Sequence, residues 1–86
     1  MEIRVSTKAD ADLSRMEQPL CQLFLKHFKK LQFIPPRRHL RFGLPFHVEN
    51  VTRQARFVYR IEDGLFFVVR CFATHKEYGA WCQSFR

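Results

Sequence analysis

The sequence predicts an α+β domain, in which an N-terminal strand and one or two helices pack on an antiparallel sheet of about three to four strands. The prediction depends on helix-type hydrophobic spacing in the first half, strand-type patterns in the second half, and a closing segment with helix-start signals. The chain has 86 residues, of which 47% are hydrophobic. We therefore expect a single domain, residues 1–86, with one modest core.

The first half contains a short strand and an amphipathic helix. The alternation of charged and apolar residues from Glu2 to Ser6 predicts a strand whose Ile3 and Val5 face the core. Ser14 and Glu17 have the spacing of a capping box, which predicts a helix start at Ser14. The apolar stripe of this helix follows the i, i+3, i+4 rule and consists of Leu20, Leu23, Phe24, Phe28 and Leu31.

A proline pair and a cationic segment follow the helix. Pro35 and Pro36 end it, because proline cannot continue a helical hydrogen-bond pattern. The segment from Arg37 to Pro45 reads as an exposed loop, and a strand is predicted near Phe46 to Val51.

The second half predicts a hairpin. Two apolar runs, Ala55 to Ile61 and Leu65 to Phe72, flank the segment from Glu62 to Gly64, whose glycine can adopt the positive φ of a tight turn. Alternate residues of a strand point to opposite faces, so the face opposite the likely core receives Arg56, Val58 and Arg60.

A short C-terminal helix should begin after the hairpin. Thr74 and Glu77 form a second capping-box pattern, which places His75 and Lys76 in the first helical turn. Backbone N–H groups at such a turn bind phosphate readily, and Tyr78 would lie nearby. The alternative is that Tyr78 and Trp81 only pack the helix down while His75 and Lys76 are solvated.

Positive charge is concentrated in the middle of the chain. The net charge is +7, and Glu49 is the only acidic residue between Gln18 and Ile61. Such a field favours a polyanionic partner, most commonly nucleic acid, although an acidic protein surface or a merely solvated face would also fit. The nine basic residues of this stretch are Lys26, Lys29, Lys30, Arg37, Arg38, Arg41, Arg53, Arg56 and Arg60.

Other classes of protein are disfavoured. No apolar run is long enough for a membrane span and no leader pattern is evident, so we expect a cytoplasmic protein without membrane contact. Cys21, Cys71 and Cys82 lack metal-ligand spacing, which predicts three reduced thiols with Cys71 in the core. No histidine or carboxylate pair has metal spacing and no glycine-rich loop is present, so we predict no metal and no cofactor.

The segments ARFVYRI, LFFVVRCFA and THKEYGAW follow one another in an order that resembles the RelE/HigB superfamily of bacterial toxins, most closely its HigB branch. The resemblance is specific mainly from Asn50 onward, and Glu17 to Leu20 also resembles the HigB branch. It implies a RelE-like fold and the toxin of a type II toxin–antitoxin module. It further implies a ribosome-dependent endoribonuclease that cuts mRNA in the A site of the small ribosomal subunit, and a cognate antitoxin partner.

The resemblance also implies roles for particular residues. Arg56 matches the family's arginine at the strand start and would hold the scissile phosphate, with Arg70 projecting nearby. His75 is the candidate general acid or base, because imidazole exchanges protons near neutral pH. Lys76 and Tyr78 would support phosphate binding or proton transfer. We assign contacts with ribosomal or messenger RNA to Lys26, Lys29, Lys30, Arg37, Arg38, Arg41 and Arg53.

Metal-free side chains can supply the chemistry of RNA cleavage through the 2′-OH. Two alternatives remain open from the sequence. A ParE-like inhibitor of DNA gyrase would use the same fold without nuclease residues, although His75 and Tyr78 argue against it. A basic nucleic-acid-binding or antitoxin-binding module without catalysis would use the same two side chains only for packing.

Overall fold

The computed structural model describes residues 2–33 and 46–84, and these residues form the predicted α+β architecture. In chain order the elements are β1 (Glu2–Val5), α1 (Thr7–Ser14), α2 (Gln18–Phe33), β2 (His47–Asn50), β3 (Arg56–Glu62), β4 (Leu65–Phe72) and α3 (His75–Gln83). The proline pair and the predicted loop from Arg37 to Pro45 lie outside the described residues.

The four strands form one sheet in the order β1-β4-β3-β2. Strands β2, β3 and β4 form the predicted antiparallel meander. Strand β1 instead runs parallel to β4, so the sheet is mixed rather than wholly antiparallel. The two helices between β1 and β2 form a crossover that carries the chain from one sheet edge to the other, and a crossover of this kind allows the strands it connects to be parallel. Since β2 and β4 run in the same direction, β1 is parallel to both.

The hairpin between β3 and β4 turns at Asp63 and Gly64. Both have positive φ, 50° and 75° respectively. This combination is typical of the type I′ turn, whose twist matches that of the flanking strands. Aspartate tolerates the left-handed region better than most residues do, and glycine enters it without a Cβ penalty. The predicted tight hairpin is confirmed.

The helix start predicted at Ser14 is wrong. Ser14 is the last residue of α1, and its hydroxyl donates to the Ala11 carbonyl at 2.8 Å. The helix that carries the apolar stripe is α2, and it begins only at Gln18. Helix α1 precedes it and has Ser6 as its N-cap, whose Oγ accepts from the Ala9 N–H at 3.0 Å. Serine suits a helix start, but a serine hydroxyl can equally bond back to a carbonyl at a helix end.

The main core lies between the sheet and α2. The buried side chains of α2 are Phe24, Phe28 and Leu31, and the rings of Phe28 and Phe57 meet edge to face at 4.9 Å. Two predictions about the core are wrong, since Leu23 is 40% exposed and Val5 is 37% exposed. The sheet and the residue before β3 contribute to this core the side chains of Ala55, Phe57, Tyr59, Phe66, Val68 and Cys71.

The opposite face of the sheet carries a second, smaller core beneath α3. Val58 and Phe72 of the sheet pack there against Tyr78 and Cys82 of α3. Phe57 and Val58 are adjacent in β3 and point to opposite faces, so α2 and α3 cover opposite sides of the sheet. The face predicted to lie away from the core therefore has a core of its own.

Strand β4 extends beyond its neighbour β1, which pairs only with residues 65–68. Beyond Val68, side chains provide the hydrogen bonds to this edge of β4. The Ser6 hydroxyl donates to the Val69 carbonyl at 2.7 Å, and Asp12 of α1 accepts the Cys71 N–H at 3.0 Å. Asp12 is buried and also binds Arg70 and Arg15. The open edge of β4 is thus hydrogen-bonded by α1 and its cap.

None of the helices in the described part of the chain combines the length and the apolar character that a membrane span requires.

Candidate functional site

The N-terminus of α3 has the predicted capping box. The Glu77 N–H donates to Thr74 Oγ1 at 3.2 Å, and the Thr74 N–H donates to Glu77 Oε2 at 3.1 Å. These reciprocal bonds fix the direction in which α3 leaves β4. His75 and Lys76 lie in its first turn and are exposed.

Arg56 begins β3 on the face that α3 covers. Only 7% of the residue is exposed, and Nη2 donates to the Arg53 carbonyl at 2.9 Å. Its Cζ lies 5.2 Å from the ring centroid of Tyr78, within the range of a cation–π interaction. Among residues 2–33 and 46–84, Arg56 Nε is buried without a hydrogen-bond partner. A delocalised positive charge is therefore held at the foot of α3.

Tyr78 supports this arginine from below. It is buried in the second core, and its ring meets the Phe72 ring edge to face at 5.8 Å. Trp81 extends the aromatic contact, with its ring 5.7 Å from that of Phe72. Tyr78 and Trp81 thus pack α3 against the sheet, as the alternative to a functional role predicts. Because the Tyr78 ring of α3 contacts both Phe72 and Arg56, it also helps to set the position of the guanidinium.

His75 lies at the edge of this cluster, next to the segment before β3. Its ring centroid is 6.1 Å from that of Tyr78, and its backbone N–H donates to Gln54 Oε1 at 3.3 Å. Gln54 is held in turn, because its N–H and the Ala55 N–H both bond to Thr52 Oγ1. Sequence reasoning missed Gln54, since no local pattern connects it with a residue 21 positions later.

Arg70 lies on the same sheet face, opposite Val58, but Asp12 binds its guanidinium. Arg70 Nε and Nη2 donate to the two carboxylate oxygens at 2.8 and 3.0 Å. The hydrogen bond that Arg70 donates to the Asp12 carboxylate raises the pKa of Arg70 above its ordinary value. The positive charge of Arg70 is therefore offset, whereas Arg56 forms no ion pair with another described residue. No local pattern points to Asp12, which lies 58 residues from Arg70 along the chain.

The described residues that were predicted to contact RNA lie on two sides of the sheet. Arg53 is exposed beside the candidate site. Lys26, Lys29 and Lys30 are exposed on α2, on the other side of the sheet. Arg37, Arg38 and Arg41 lie outside the described residues. The structure thus brings together Arg53, Arg56, His75, Lys76 and Tyr78.

Cys71 is buried as predicted, and burial is the main reason why the pKa of its thiol is raised well above the ordinary value. Its neutral thiol packs in the main core. In the part of the chain that the structure describes, no three or more His, Cys, Asp and Glu side chains are grouped so that they could hold a metal ion.

The fold is that of the RelE-like toxins, as comparison with solved structures shows. The toxin–antitoxin complex RelBE2 from Mycobacterium tuberculosis contains a chain with a TM-score of 0.72 and 22% identity, covering 83% of this chain and 87% of that chain. The isolated RelE toxin of E. coli has a TM-score of 0.70 at 14% identity and covers 95% of this chain and 96% of that chain.

The intact RelBE toxin–antitoxin complex of E. coli gives a TM-score of 0.69 at 16% identity, with 81% of this chain and 92% of that chain covered. At the level of sequence, no protein-family model and no curated protein matches. The likeness therefore shows the fold.

Proposed function

We propose that this protein is the toxin of a type II toxin–antitoxin module, belongs to the RelE/ParE superfamily and is most like its HigB branch. Its activity is that of a ribosome-dependent mRNA endoribonuclease in the cytoplasm. The RelE-like fold supports this proposal, because solved structures with this fold include toxins by themselves and in toxin–antitoxin complexes.

The observation that carries the proposal is the cluster at the start of α3. It combines a buried guanidinium at Arg56, an exposed imidazole at His75 and an exposed ammonium at Lys76. Two cations and a proton-transfer group at one end of one sheet face suit a phosphodiester better than a neutral ligand. Within the described ranges Lys76 forms no ion pair, so its charge is not offset.

RNA can be cleaved at such a cluster by attack of its own 2′-OH. A base removes the 2′-OH proton, the oxygen attacks the adjacent phosphorus, and an acid protonates the departing 5′-oxygen. The products are a 2′,3′-cyclic phosphate and a free 5′-OH. Negative charge grows on the phosphate oxygens in the transition state, so positioned cations lower the barrier. No metal is required by this route.

His75 serves as the general acid or base, Arg56 stabilises the charged phosphate, and Lys76 and Arg53 hold the flanking backbone. Tyr78 acts through Arg56, since its buried ring sets the guanidinium position. Arg70 lies on the same sheet face, but Asp12 offsets its charge, so this scheme gives it no direct contact with the phosphate.

The proposed partners are mRNA on the ribosome and a cognate antitoxin that silences the enzyme. Two of the structures with this fold are toxin–antitoxin complexes from E. coli and M. tuberculosis, and a third is the YoeB–YefM complex from Staphylococcus aureus.

Primer-extension mapping of mRNA ends after brief induction in growing cells tests the proposal. Cuts at translated codons should appear with the wild type and vanish with His75→Ala. His27→Ala is the matched control, because His27 lies on α2 across the sheet from the site. Arg56→Lys keeps the charge but loses the planar fork, and should reduce cleavage while circular dichroism remains that of the wild type.

Intact messages with arrested growth would contradict the nuclease and point to gyrase or another protein target. Intact messages with normal growth would point to a binding module. Cleavage that is unchanged in both His75→Ala and Arg56→Lys would show that His75 and Arg56 do not belong to the site.

A further inference from the structure

The turn between β2 and β3, residues 51–55, lies beside the cluster at the start of α3. It directly precedes Arg56, the first residue of β3. The Ala55 carbonyl accepts from the N–H groups of Val51 and Thr52 at 2.8 and 3.1 Å. These two hydrogen bonds join the beginning of the turn to its end.

The side chain of Thr52 holds the middle of the turn. Its Oγ1 accepts from the Gln54 N–H at 3.2 Å and from the Ala55 N–H at 2.9 Å. A threonine hydroxyl that binds backbone N–H groups two and three residues ahead replaces the acceptor that a backbone turn would supply. Ala55 is buried, so its N–H depends on this oxygen rather than on water.

One of these bonds fixes the direction of the Arg53 carbonyl. That carbonyl and the Gln54 N–H belong to the same peptide unit, which is planar and trans. The two groups of such a unit point in opposite directions. Since the N–H points to Thr52 Oγ1, the carbonyl is directed away from Thr52, and it accepts from Arg56 Nη2 at 2.9 Å.

The Arg56 guanidinium depends on this carbonyl for its orientation. Within the described ranges the Arg53 carbonyl is the acceptor that the guanidinium binds, and Nε is buried without one. The Tyr78 ring, 5.2 Å from Cζ, attracts the positive charge. The hydrogen bond to Arg53, which is directional, decides which way the N–H groups of the guanidinium point.

We propose that Thr52 is a positioning residue of the nuclease site, which acts on the scissile phosphate only through Arg56. The inference rests on the proposed function, in which Arg56 stabilises the charged phosphate. The Thr52 hydroxyl orients the peptide unit between Arg53 and Gln54, and that unit orients the guanidinium. Thr52 itself neither contacts the phosphate nor exchanges a proton with the RNA.

The same turn also contacts the other side of the cluster. Gln54 Oε1 accepts from the His75 N–H at 3.3 Å, so the turn that Thr52 holds is bonded both to Arg56 and to the first turn of α3. The proposed reaction needs the guanidinium and the imidazole at one phosphate. A misplacement of about 1 Å in such a pair costs up to about 100-fold in rate, so a small shift of the turn is measurable.

The test compares substitutions at position 52 that remove or keep the acceptor. Thr52→Val retains the branched shape without the oxygen, and Thr52→Ala removes the oxygen without adding a methyl group. Thr52→Ser and Thr52→Asn keep an oxygen that can accept the same N–H groups. Thr7→Val makes the same change at an exposed residue of α1 and is the matched control. Circular dichroism checks that each variant is folded.

Cleavage of mRNA on programmed ribosomes gives kcat and KM for each variant. Thr52→Val and Thr52→Ala should lower kcat about tenfold, less than the roughly 100-fold that loss of a complete transition-state contact costs. KM should stay within about twofold, because the exposed side chains of Lys76 and Arg53 still bind the flanking backbone. Thr52→Ser and Thr52→Asn should restore kcat, and Thr7→Val should leave it unchanged.

A double variant separates the positioning of Arg56 from general damage to the fold. Arg56→Lys has no planar fork for the turn to orient. Adding Thr52→Val to Arg56→Lys should therefore lower kcat by less than about twofold, whereas independent effects would multiply.

The ¹H–¹⁵N signal of Arg56 Nε reports the guanidinium without any measurement of cleavage. It should shift in Thr52→Val and in Thr52→Ala, because the guanidinium then loses the fixed direction of its acceptor. It should stay in place in Thr52→Ser and in Thr7→Val.

Four results would overturn the inference. They are an unchanged kcat in Thr52→Val, an equal loss in Thr52→Ser, full additivity with Arg56→Lys, and an Arg56 Nε signal that does not move. If Thr52→Val does not fold, Thr52→Ala takes its place in every comparison. If the wild type cleaves no mRNA, the nuclease proposal fails, and the Arg56 Nε signal alone decides whether Thr52 positions the guanidinium.

Discussion

Replacing Asp12 by alanine should destabilise the protein strongly, because this buried carboxylate joins α1 and its C-cap residue to strand β4. Asp12 is 5% exposed and accepts two hydrogen bonds from Arg70, one from Arg15 and one from the Cys71 N–H. In the alanine variant the Arg70 guanidinium keeps its place without its counter-charge, and the Cys71 N–H loses its acceptor.

The contributions can be ranked from their exposure. The Arg15 side chain is 69% exposed, so its ion pair adds less than about 1 kcal/mol. The Arg70 side chain is only 26% exposed. Breaking a pair of that kind costs about 3 kcal/mol, at the lower end of the range for buried pairs because of the residual solvent. The unpaired Cys71 N–H adds about 1 kcal/mol.

The expected loss for Asp12→Ala is therefore about 4 kcal/mol, against a total stability of about 5–15 kcal/mol for a typical domain. Asp12→Asn keeps an oxygen for the Cys71 N–H but loses the charge, and should cost about 2 kcal/mol. For a domain of this size each kcal/mol lowers Tm by about 4–8 °C. The alanine variant should thus melt well below the asparagine variant.

Urea denaturation followed by fluorescence gives these free energies, since Trp81 is the only tryptophan and lies in the second core. The double variant with Arg70→Ala completes a cycle, in which we expect a coupling of at least about 1 kcal/mol between the two residues. A loss below about 1 kcal/mol for Asp12→Ala, or no coupling with Arg70, would show that this carboxylate does not stabilise the contact between α1 and β4.

Three further predictions concern local features. Gly64→Ala should destabilise the protein by about 1 kcal/mol because φ is 75° there, whereas Gly79→Ala in α3 should stabilise it by up to about 1 kcal/mol. No neighbouring atom lies within 4 Å of either new Cβ, so thermal melts should show shifts of Tm with opposite signs. Thr74→Ala should cost about 1 kcal/mol and speed amide exchange in α3, while Thr74→Ser should restore protection. Burial raises the pKa of Tyr59 from 10.0 to about 12, so the unfolded chain loses the phenol proton at lower pH than the folded protein does. The free energy of unfolding should therefore fall as the pH rises from 10.0 to about 12. Urea titrations of Tyr59→Phe should lack this part of the pH dependence.

Local signals account for what the sequence predicted well. The turn at Gly64 and the capping box at Thr74 each depend on residues within four positions of one another, and both are present. Ser14 shows the limit of the same logic, because a serine at a helix end resembles a serine at a helix start.

What could not be predicted depends on distant residues. The parallel pairing of β1 with β4 and the ion pair between Asp12 and Arg70 connect opposite ends of the chain. Alternation in β3 correctly placed Arg56 on the face opposite the main core, but only the return of α3 over that face buries it. The roles of Arg56, His75, Lys76 and Tyr78 in catalysis stay predictions.

The side chains at the open edge of β4 have a consequence for solubility. An exposed strand edge offers unpaired N–H and carbonyl groups to any other chain, and the apolar composition of β4 would make it a template for aggregation. Ser6 and Asp12 occupy that edge at Val69 and Cys71, so they take the place of a missing neighbour strand. The carboxylate that neutralises Arg70 thereby also occupies a backbone donor of β4 that a second chain would need in order to pair with this part of the strand.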